Sequence, residues 1–319
     1  MPCTILRVLS QLSLDDYAVE VRLDRIGVLD YVRDDGSDIY FLDENDQPLY
    51  YAVWLIRRDQ NYGSVFVKLS LKGRFRRIRI CYGERNRYQE YNNPRRVFAL
   101  YDDFNTLDID GWRIVEGEPT FGGGHLILKG DTNDTVRTFQ KFKDVEVRIY
   151  FNFFKFAEFG PRLELQTRRL NNTFYAFMNE QFSGNWYYYS IQRVIEGSYT
   201  LIKYGSLKPY YAQGDYYEEV YRSVGTTHTW IIQGYMGNRE TLTAVDDAIT
   251  EPGSIALRTW NRLGDVRVDK ILVRHAVDPE PVVEVEKPVP RSKPQALPLA
   301  VSTTALIGIK KATTTSTRG

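Results

Sequence analysis

The sequence is poor in the side chains that most often carry catalysis or hold metals. Its 319 residues include three His, two Cys and three Met, too few for several Cys/His metal sites or a disulfide-rich scaffold. It also lacks an excess of one charge, because 42 Lys and Arg face 41 Asp and Glu and leave a net charge of +1. Since no overall field attracts polyanions, we expect no nucleic-acid partner.

Long apolar runs are also missing. The first ten residues hold no apolar stretch of the kind found in signal peptides. The longest weakly polar stretch, residues 296–309, is interrupted by Pro298 and is shorter than the roughly 20 apolar residues of a membrane helix. We therefore expect a soluble chain without a membrane span.

Aromatic residues and short alternating segments are abundant. The chain has 23 Tyr, 16 Phe and 5 Trp. In residues 17–24, 75–82 and 144–151, apolar and polar side chains alternate with the period of a β-strand. The polar side chains of these strands, Glu20 and Arg148 among them, are expected to face solvent. Frequent Gly, Asn and Asp turn signals between such segments predict an all-β protein built from antiparallel sandwiches.

Composition divides the chain into three parts. Residues 1–96 and 97–277 each hold many strand patterns and predict two tandem β-sandwiches. Residues 278–319 begin with a segment, 278–298, that contains six of the 13 Pro. Such a segment predicts a semi-rigid, extended linker leading into a C-terminal arm.

The arm regains apolar residues after the linker. A short apolar strand on a Pro-rich arm suggests pairing with the sheet edge of a neighbouring molecule, either another copy of this chain or another surface protein. The alternative is a disordered tail with an incidental apolar stretch. The candidate assembly residues are Leu299, Val301, Leu306, Ile307 and Ile309.

Two resemblances extend over about residues 10–277. Residues 17–24, 36–43, 49–54, 65–69 and 80–83 resemble a β-sandwich family of unknown function found in prokaryotic and archaeal surface proteins. Residues 101–104, 111–112, 124–128, 145–148, 229–232, 253–258 and 265–273 resemble a concanavalin A-like (laminin G-like) lectin/glucanase sandwich. The second resemblance implies a jelly roll, which serves lectins, adhesins, glycosidases and structural modules alike.

Catalytic constellations are not evident. A glucanase of this fold would need two carboxylates on one strand face, and no Glu-x-Asp-x-Glu pattern occurs in the sandwich. Glu164 stands alone between two Leu. His125, His228 and His275 lie beside strand patterns without a nearby nucleophile motif, which favours structural roles. We therefore predict no catalytic residues and a protein that is not an enzyme.

Calcium is the one cofactor that the sequence suggests. The pairs Asp102–Asp103 and Asp246–Asp247 offer hard oxygen ligands on turns, as sandwiches of this kind often do. Asp is also a common turn residue for purely local reasons, and that second interpretation stays open.

The Tyr-rich clusters are the candidate recognition surface. Some of these rings are expected in the core, and the rest would form a protein interface or a platform for sugar rings. The candidates are Trp186, Tyr187, Tyr188, Tyr189, Tyr210, Tyr211, Tyr216 and Tyr217.

The two cysteines leave two interpretations open. Cys3 precedes the first strand pattern and Cys81 lies in the segment 75–82, so the two could pair. Alternatively, each is a free buried Cys that packs as a small hydrophobe.

Together these features predict a non-enzymatic structural or surface protein. We expect a virion surface protein, a projection, fibre or capsid-associated subunit of an archaeal virus, which acts in assembly and host attachment. The alternative is a cellular surface adhesin or lectin that binds cell-surface glycans, with an extracellular or cell-surface location. A carbohydrate-active enzyme is the third possibility.

Overall fold

The chain forms two tandem antiparallel β-sandwiches, as the strand patterns predict. The computed structural model describes residues 2–84, 86–105, 111–155, 162–182, 186–205, 211–233, 239–259 and 264–286, without the side chains of 180–182, 186–188 and 233. The one α-helix within these ranges, Pro94–Val97, has a single turn. None of the helices in these ranges could cross a membrane.

The first sandwich packs a five-stranded sheet on a three-stranded one. Its strands are β1 (Cys3–Leu9), β2 (Leu14–Arg22), β3 (Tyr40–Asp43), β4 (Pro48–Leu49), β5 (Tyr51–Arg57), β6 (Tyr62–Leu71), β7 (Phe75–Cys81) and the last strand of the described chain, β23 (Val282–Val285). Short 3₁₀ helices occupy Leu29–Tyr31, Arg58–Gln60 and Gln89–Tyr91. The sheet orders are β23-β1-β7-β3-β4 and β2-β6-β5.

The second sandwich packs an eight-stranded sheet on a seven-stranded one. Its strands are β8 (Leu100–Asp102), β9 (Trp112–Glu116), β10 (Thr120–Gly122), β11 (His125–Lys129), β12 (Thr135–Thr138), β13 (Val145–Lys155), β14 (Arg162–Leu170), β15 (Thr173–Phe182), β16 (Trp186–Ile195), β17 (Ser198–Tyr204), β18 (Tyr216–Val224), β19 (Thr227–Gln233), β20 (Arg239–Val245), β21 (Ser254–Arg258) and β22 (Asp265–His275). The eight-stranded sheet runs β10-β11-β22-β13-β18-β19-β20, with β8 also on β22. The seven-stranded sheet runs β17-β16-β15-β14-β21-β12-β9.

Alternation along the strands builds one core in each sandwich. Val19 and Val21 of β2 are buried in the first core, whereas Val147 and Ile149 of β13 are buried in the second. Because successive side chains of a strand point to opposite faces, each strand supplies the core with every second residue. The faces predicted to be apolar are therefore the ones that pack.

The opposite faces of β2 and β13 are not solvated, so that prediction is wrong. Arg148 donates hydrogen bonds across the contact between the sandwiches to Glu20, and within its own strand to Glu146. Trp54 and Leu272 belong to an apolar cluster at the same contact. A polar strand face indicates solvent only where no second polar surface covers it, and here the three-stranded sheet covers the eight-stranded one.

The predicted linker from residue 278 onward is shorter than its composition indicates. The compact unit extends from Met1 to Glu286, because β23 adds to the edge of β1 with Val282 opposite Leu9. The edge of β1 offers unpaired backbone groups, which β23 satisfies despite its Pro-rich flanks. Residues 287–319, including all five candidate assembly residues of the arm, lie outside the described ranges.

The two cysteines are paired in the structure, which is the first of the two interpretations. Cys3 and Cys81 lie directly opposite each other on β1 and β7 and form a disulfide. The bond links strands that are 78 residues apart in sequence.

Candidate functional site

Most of the predicted aromatic recognition residues that the structure describes belong to the core. Tyr189, Tyr211 and Tyr217 are buried in the second sandwich. Tyr216 is half-buried and stacks on Tyr150, with ring centroids 5.0 Å apart. The prediction that these four form a recognition surface is therefore wrong for three of them. The backbone of 186–188 lies in β16, but the side chains of Trp186, Tyr187 and Tyr188, and all of Tyr210, lie outside the described part of the chain.

Several of the buried rings surround one carboxylate, Glu219. Tyr211 and Tyr221 donate their hydroxyl protons to it, and Trp230 Nε1 donates at 3.2 Å. Burial raises the pKa of Glu219 to about 7, although these donors favour the ionised form. Tyr residues here satisfy a buried acid, a role that sequence composition does not distinguish from surface recognition.

The Asp pairs proposed for calcium are engaged in protein contacts. The Asp102 carboxylate accepts hydrogen bonds from Trp112 Nε1 at 2.9 Å and from the Phe104 amide at 2.8 Å. The Asp246 carboxylate accepts from Tyr175 at 2.7 Å and from Arg193 at 2.8 Å. These contacts connect Asp102 to β9 and Asp246 to β15 and β16. Within the described residues, no three His, Cys, Asp or Glu side chains form a group able to hold a metal ion.

The second aspartate of each pair, Asp103 or Asp247, makes fewer contacts with the rest of the protein. Asp103 accepts a hydrogen bond from the Asn105 amide at 3.3 Å, which is the geometry of a local Asx turn. Asp247 is exposed beside Asp246. A calcium site at either pair remains a prediction from the sequence.

The histidines occupy unrelated positions. His228 is buried, with its ring nitrogens near Ser223 Oγ and the Asp246 carbonyl oxygen, and burial lowers its pKa to about 4. His125 lies on β11, 3.5 Å from Asp269 of β22. His275 is exposed.

A polar layer covers the outer side of the seven-stranded sheet. Leu163 and Leu165 of β14 point into the core, so Glu164 and Gln166 point to the opposite side. The strand register places Gln166 of β14 level with Ala176 of β15 and Gln192 of β16. We call Glu164, Gln166, Ser190 and Gln192 the polar face; all four are buried.

Small residues lie between these polar side chains. Ala176 and Ala256 flank Gln166 on the two neighbouring strands, and both are buried. Their methyl groups take little room above the sheet.

Glu164 is the unusual member of the polar face. Its Oε1 accepts a hydrogen bond from Gln166 Nε2, but its Oε2 is buried and has no hydrogen-bond partner among the described residues. Burial raises the pKa of Glu164, and the nearby guanidinium groups of Arg258 and Arg162 oppose that rise. An unsatisfied buried carboxylate oxygen costs free energy, so Glu164 is the residue here that most needs a further donor.

An aromatic pair borders the polar face. Phe174 of β15, Val194 of β16 and Tyr199 of β17 are in register across three strands. The rings of Phe174 and Tyr199 meet edge to face with centroids 6.3 Å apart. Tyr199 is 46% exposed, so this pair offers a ring surface beside buried polar groups.

Charged side chains surround Glu164, and a second carboxylate, that of Glu116, reaches one of them, with its Oε2 3.7 Å from Arg258 Nη2. The charged groups that act on the pKa of Glu164 are Arg258, Arg162 and Arg169. The backbone of Glu180 lies opposite Arg162, on the strand next to Glu164, and its side chain is outside the described part.

The sequence signal for this face is the alternation in residues 162–166. Arg162, Glu164 and Gln166 alternate with Leu163 and Leu165, which predicts a strand with one polar side. An isolated Glu in such a strand is normally solvated, so the sequence does not mark Glu164 as buried.

Comparison with known proteins identifies one family and several similar folds. The family described as "Domain of unknown function (DUF2341)" matches residues 35–115, most of which lie in the first sandwich. This match supports the resemblance expected for that part. No curated protein matches the sequence.

Solved structures resemble the chain in fold only. Bacillus licheniformis β-glucanase has a TM-score of 0.44 at 12% identity, over 56% of this chain and 98% of the glucanase chain. The carbohydrate-binding module CBM66 from Bacillus subtilis has a TM-score of 0.40 at 12% identity, over 52% and 92%. The CBM2 module of the Lactobacillus casei BL23 phage J-1 evolved Dit has a TM-score of 0.42 at 11% identity, over 60% and 97%.

Proposed function

We propose that this chain is a non-catalytic, glycan-binding surface protein whose ligand lies against the polar face. The observation that carries the proposal is the buried Oε2 of Glu164, which lacks a donor. A sugar hydroxyl would donate to this oxygen and recover free energy of the order of 1–3 kcal/mol that an unsatisfied buried group costs.

The neighbouring amides suit the same ligand. Gln166 and Gln192 each carry a donor and an acceptor, which is what a hydroxyl group requires on its two sides. Ala176 lies between them in the strand register, and its methyl group adds little bulk above the sheet. Ligand entry requires the Arg side chains around Glu164 to move aside, and long flexible side chains can do so at modest cost.

The bordering rings supply the apolar half of sugar recognition. Sugars present C–H groups on one face and hydroxyls at the edge, so aromatic rings beside polar groups match them. Tyr199 is exposed and contacts Phe174. This placement supports a glycan more than a flat protein interface, because the polar groups are recessed behind the rings.

The non-catalytic part of the proposal rests on the charged groups around Glu164. Hydrolysis requires an acid and a second carboxylate roughly 5 to 9.5 Å apart. The charged side chains that act most strongly on the pKa of Glu164 are those of Arg258, Arg162 and Arg169. A carboxylate surrounded by cations suits binding.

A binding experiment with matched variants tests the proposal. The full chain is screened on an array of neutral and acidic oligosaccharides, and the affinity of any bound sugar is measured by titration calorimetry. We expect Glu164→Gln and Tyr199→Ala each to weaken binding by about tenfold. Tyr31→Ala, which removes an exposed ring of the first sandwich, is the control and should have no effect.

Two results would overturn the proposal. One is a failure of every array sugar to bind at millimolar concentration. The other is release of reducing ends from a bound glycan that stops in Glu164→Gln, since it would make the protein an enzyme.

The finer assignment, a virion surface protein attached through its C-terminal arm, is also a proposal, and the sequence alone supports it. The alternative is a cellular adhesin or lectin. Because β23 belongs to the first sandwich, the informative truncation removes residues 287–319 and not 278–319. We expect this truncation to leave the sandwiches folded but to abolish assembly, and we expect the chain in purified virus particles by mass spectrometry. Assembly of the truncated chain, or its presence only in cell envelopes, would contradict this assignment.

A further inference from the structure

A groove with only basic charge adjoins the polar face. It is lined by Arg113, Arg137, Thr138, Phe139, Lys141, Arg169, Leu170, Asn171 and Ser254, and has a volume of about 300 Å³. We call it the basic groove. Four of its nine lining residues carry positive charge and none carries negative charge.

Three of the four cations of the basic groove have no counter-ion among the described residues. Arg137 and Arg113 lie opposite each other on β12 and β9. In the described part of the chain, neither they nor Lys141 forms an ion pair or a side-chain hydrogen bond. Burial lowers the pKa of Arg169, and the charges of Arg137 and Arg258 lower it further. The groove is therefore a concentrated positive site that an anion would stabilise.

The groove is continuous with the polar face through Arg169. Arg169 Nη1 donates a hydrogen bond to Gln166 Oε1, and its guanidinium group lies over the Phe174 ring at 5.4 Å. Arg137 is also opposite Ala256, which is opposite Gln166. A ligand that contacts Gln166 and Phe174 thus has its next substituent beside Arg169 and Arg137.

We infer that the basic groove binds the carboxylate or sulfate group of an acidic polysaccharide whose sugar ring lies on the polar face. This inference rests on the proposed glycan function and narrows its ligand class. Guanidinium groups bind carboxylate and sulfate oxygens with paired hydrogen bonds. Phe139, which is 61% exposed, adds a ring at the groove wall.

Charge distribution favours an acidic glycan over nucleic acid. Nucleic-acid binding uses an extended basic track along many phosphates. Here the net charge of the chain is +1, and the four cations of the basic groove lie together in one short groove beside buried hydrogen-bonding groups. One or two acidic substituents would fill it.

The test compares ligands that differ only in charge. Titration calorimetry on the full chain uses a neutral β-glucan oligosaccharide, an oligouronate, a sulfated galactan oligosaccharide and single-stranded DNA. We expect at least one acidic oligosaccharide to bind about tenfold more tightly than the neutral one at low salt, with the difference shrinking as salt rises. If the oligouronate binds best, the partner group is a carboxylate; if the galactan binds best, it is a sulfate.

Single-residue variants test whether the basic groove causes the preference for the acidic oligosaccharide. Arg137→Met and Lys141→Met should each remove most of the preference for the acidic oligosaccharide and leave the neutral affinity unchanged. Arg74→Met removes an exposed cation of the first sandwich and should change nothing. Circular dichroism of each variant confirms that it is folded.

The outcomes separate this inference from the function on which it rests. Equal binding of neutral and acidic sugars would overturn the inference and leave the glycan function standing. Binding of no sugar would overturn both. Equal binding of DNA and acidic sugars, lost in Arg137→Met, would show a polyanion site and overturn the assignment to a glycan.

Discussion

Arg148 holds the two sandwiches together through Glu20, with Nη1 donating to Oε1 at 2.9 Å and Nη2 donating to Oε2 at 2.6 Å. Burial alone would raise the pKa of Glu20, but the Arg148 charge outweighs it and lowers that pKa. The same guanidinium also pairs with Glu146 at 2.8 Å, and Arg274 pairs with Glu146 at 2.7 Å. The carboxylates at the contact therefore share guanidinium groups in one network.

Replacing Arg148 should destabilise the protein strongly. Arg148→Met leaves the buried carboxylates of Glu20, Glu146 and Glu218 without their shared cation, which typically costs about 3–5 kcal/mol in the free energy of unfolding. Denaturant titration measures this loss. Lys72→Met, which breaks the exposed pair with Asp15, should cost no more than about 1 kcal/mol. Equal losses in both variants would contradict the role of Arg148.

Glu219 should make the fold less stable as the pH rises. The folded protein keeps the proton on Glu219 up to about pH 7, whereas the pKa of an unfolded Glu is 4.5. The stabilisation that protonated Glu219 contributes is therefore fully present below pH 4.5. It is lost as the pH rises through 7, which lowers the free energy of unfolding by about 3 kcal/mol. Glu219→Gln should remove the loss, seen as a higher free energy of unfolding at pH 8 relative to pH 4.5. Exposed Glu251→Gln is the control, and parallel curves for wild type and Glu219→Gln would refute the prediction.

His228 should make the fold less stable as the pH falls, the opposite of the effect of Glu219. Its folded pKa is about 4 against 6.5 in the unfolded chain, so the unfolded state binds a proton first as the pH falls. Stability is therefore lost between pH 6.5 and pH 4, by about 3 kcal/mol. Since Glu219 and His228 offset each other there, their joint contribution in the wild-type protein should be nearly flat. His228→Gln should expose a decline with rising pH, and exposed His275→Gln should not.

Reducing the Cys3–Cys81 bond should lower the melting temperature. The bond closes a loop with a sequence separation of 78 residues, and the chain-entropy relation gives about 4.5 kcal/mol for a loop of this size. Scanning calorimetry with and without reductant measures the shift. A Cys3→Ala, Cys81→Ala double variant should melt at the reduced temperature and show no further response to reductant. A wild-type melting temperature that does not respond to reductant would contradict the prediction.

The strands and their core faces follow from the sequence because they depend on local alternation. Apolar residues such as Val19 and Val21 recur at every second position of a strand. One side of the strand is then apolar and must be buried away from water. The same alternation does not determine whether the opposite, polar side of the strand meets solvent or a second sheet. Glu20 and Arg148 would be solvated in either sandwich alone, and only the contact between the two sheets buries them.

For the candidate site, too, the sequence determines one part and the tertiary structure the other. The alternation in 162–166 by itself places Glu164 and Gln166 on one side of a strand. Ala176, Gln192 and Arg137 join them through strand pairings between segments distant in sequence, and such register depends on how whole sheets pack. Tertiary structure alone therefore decided that Glu164 is buried without a donor for Oε2 and that a basic groove lies beside it.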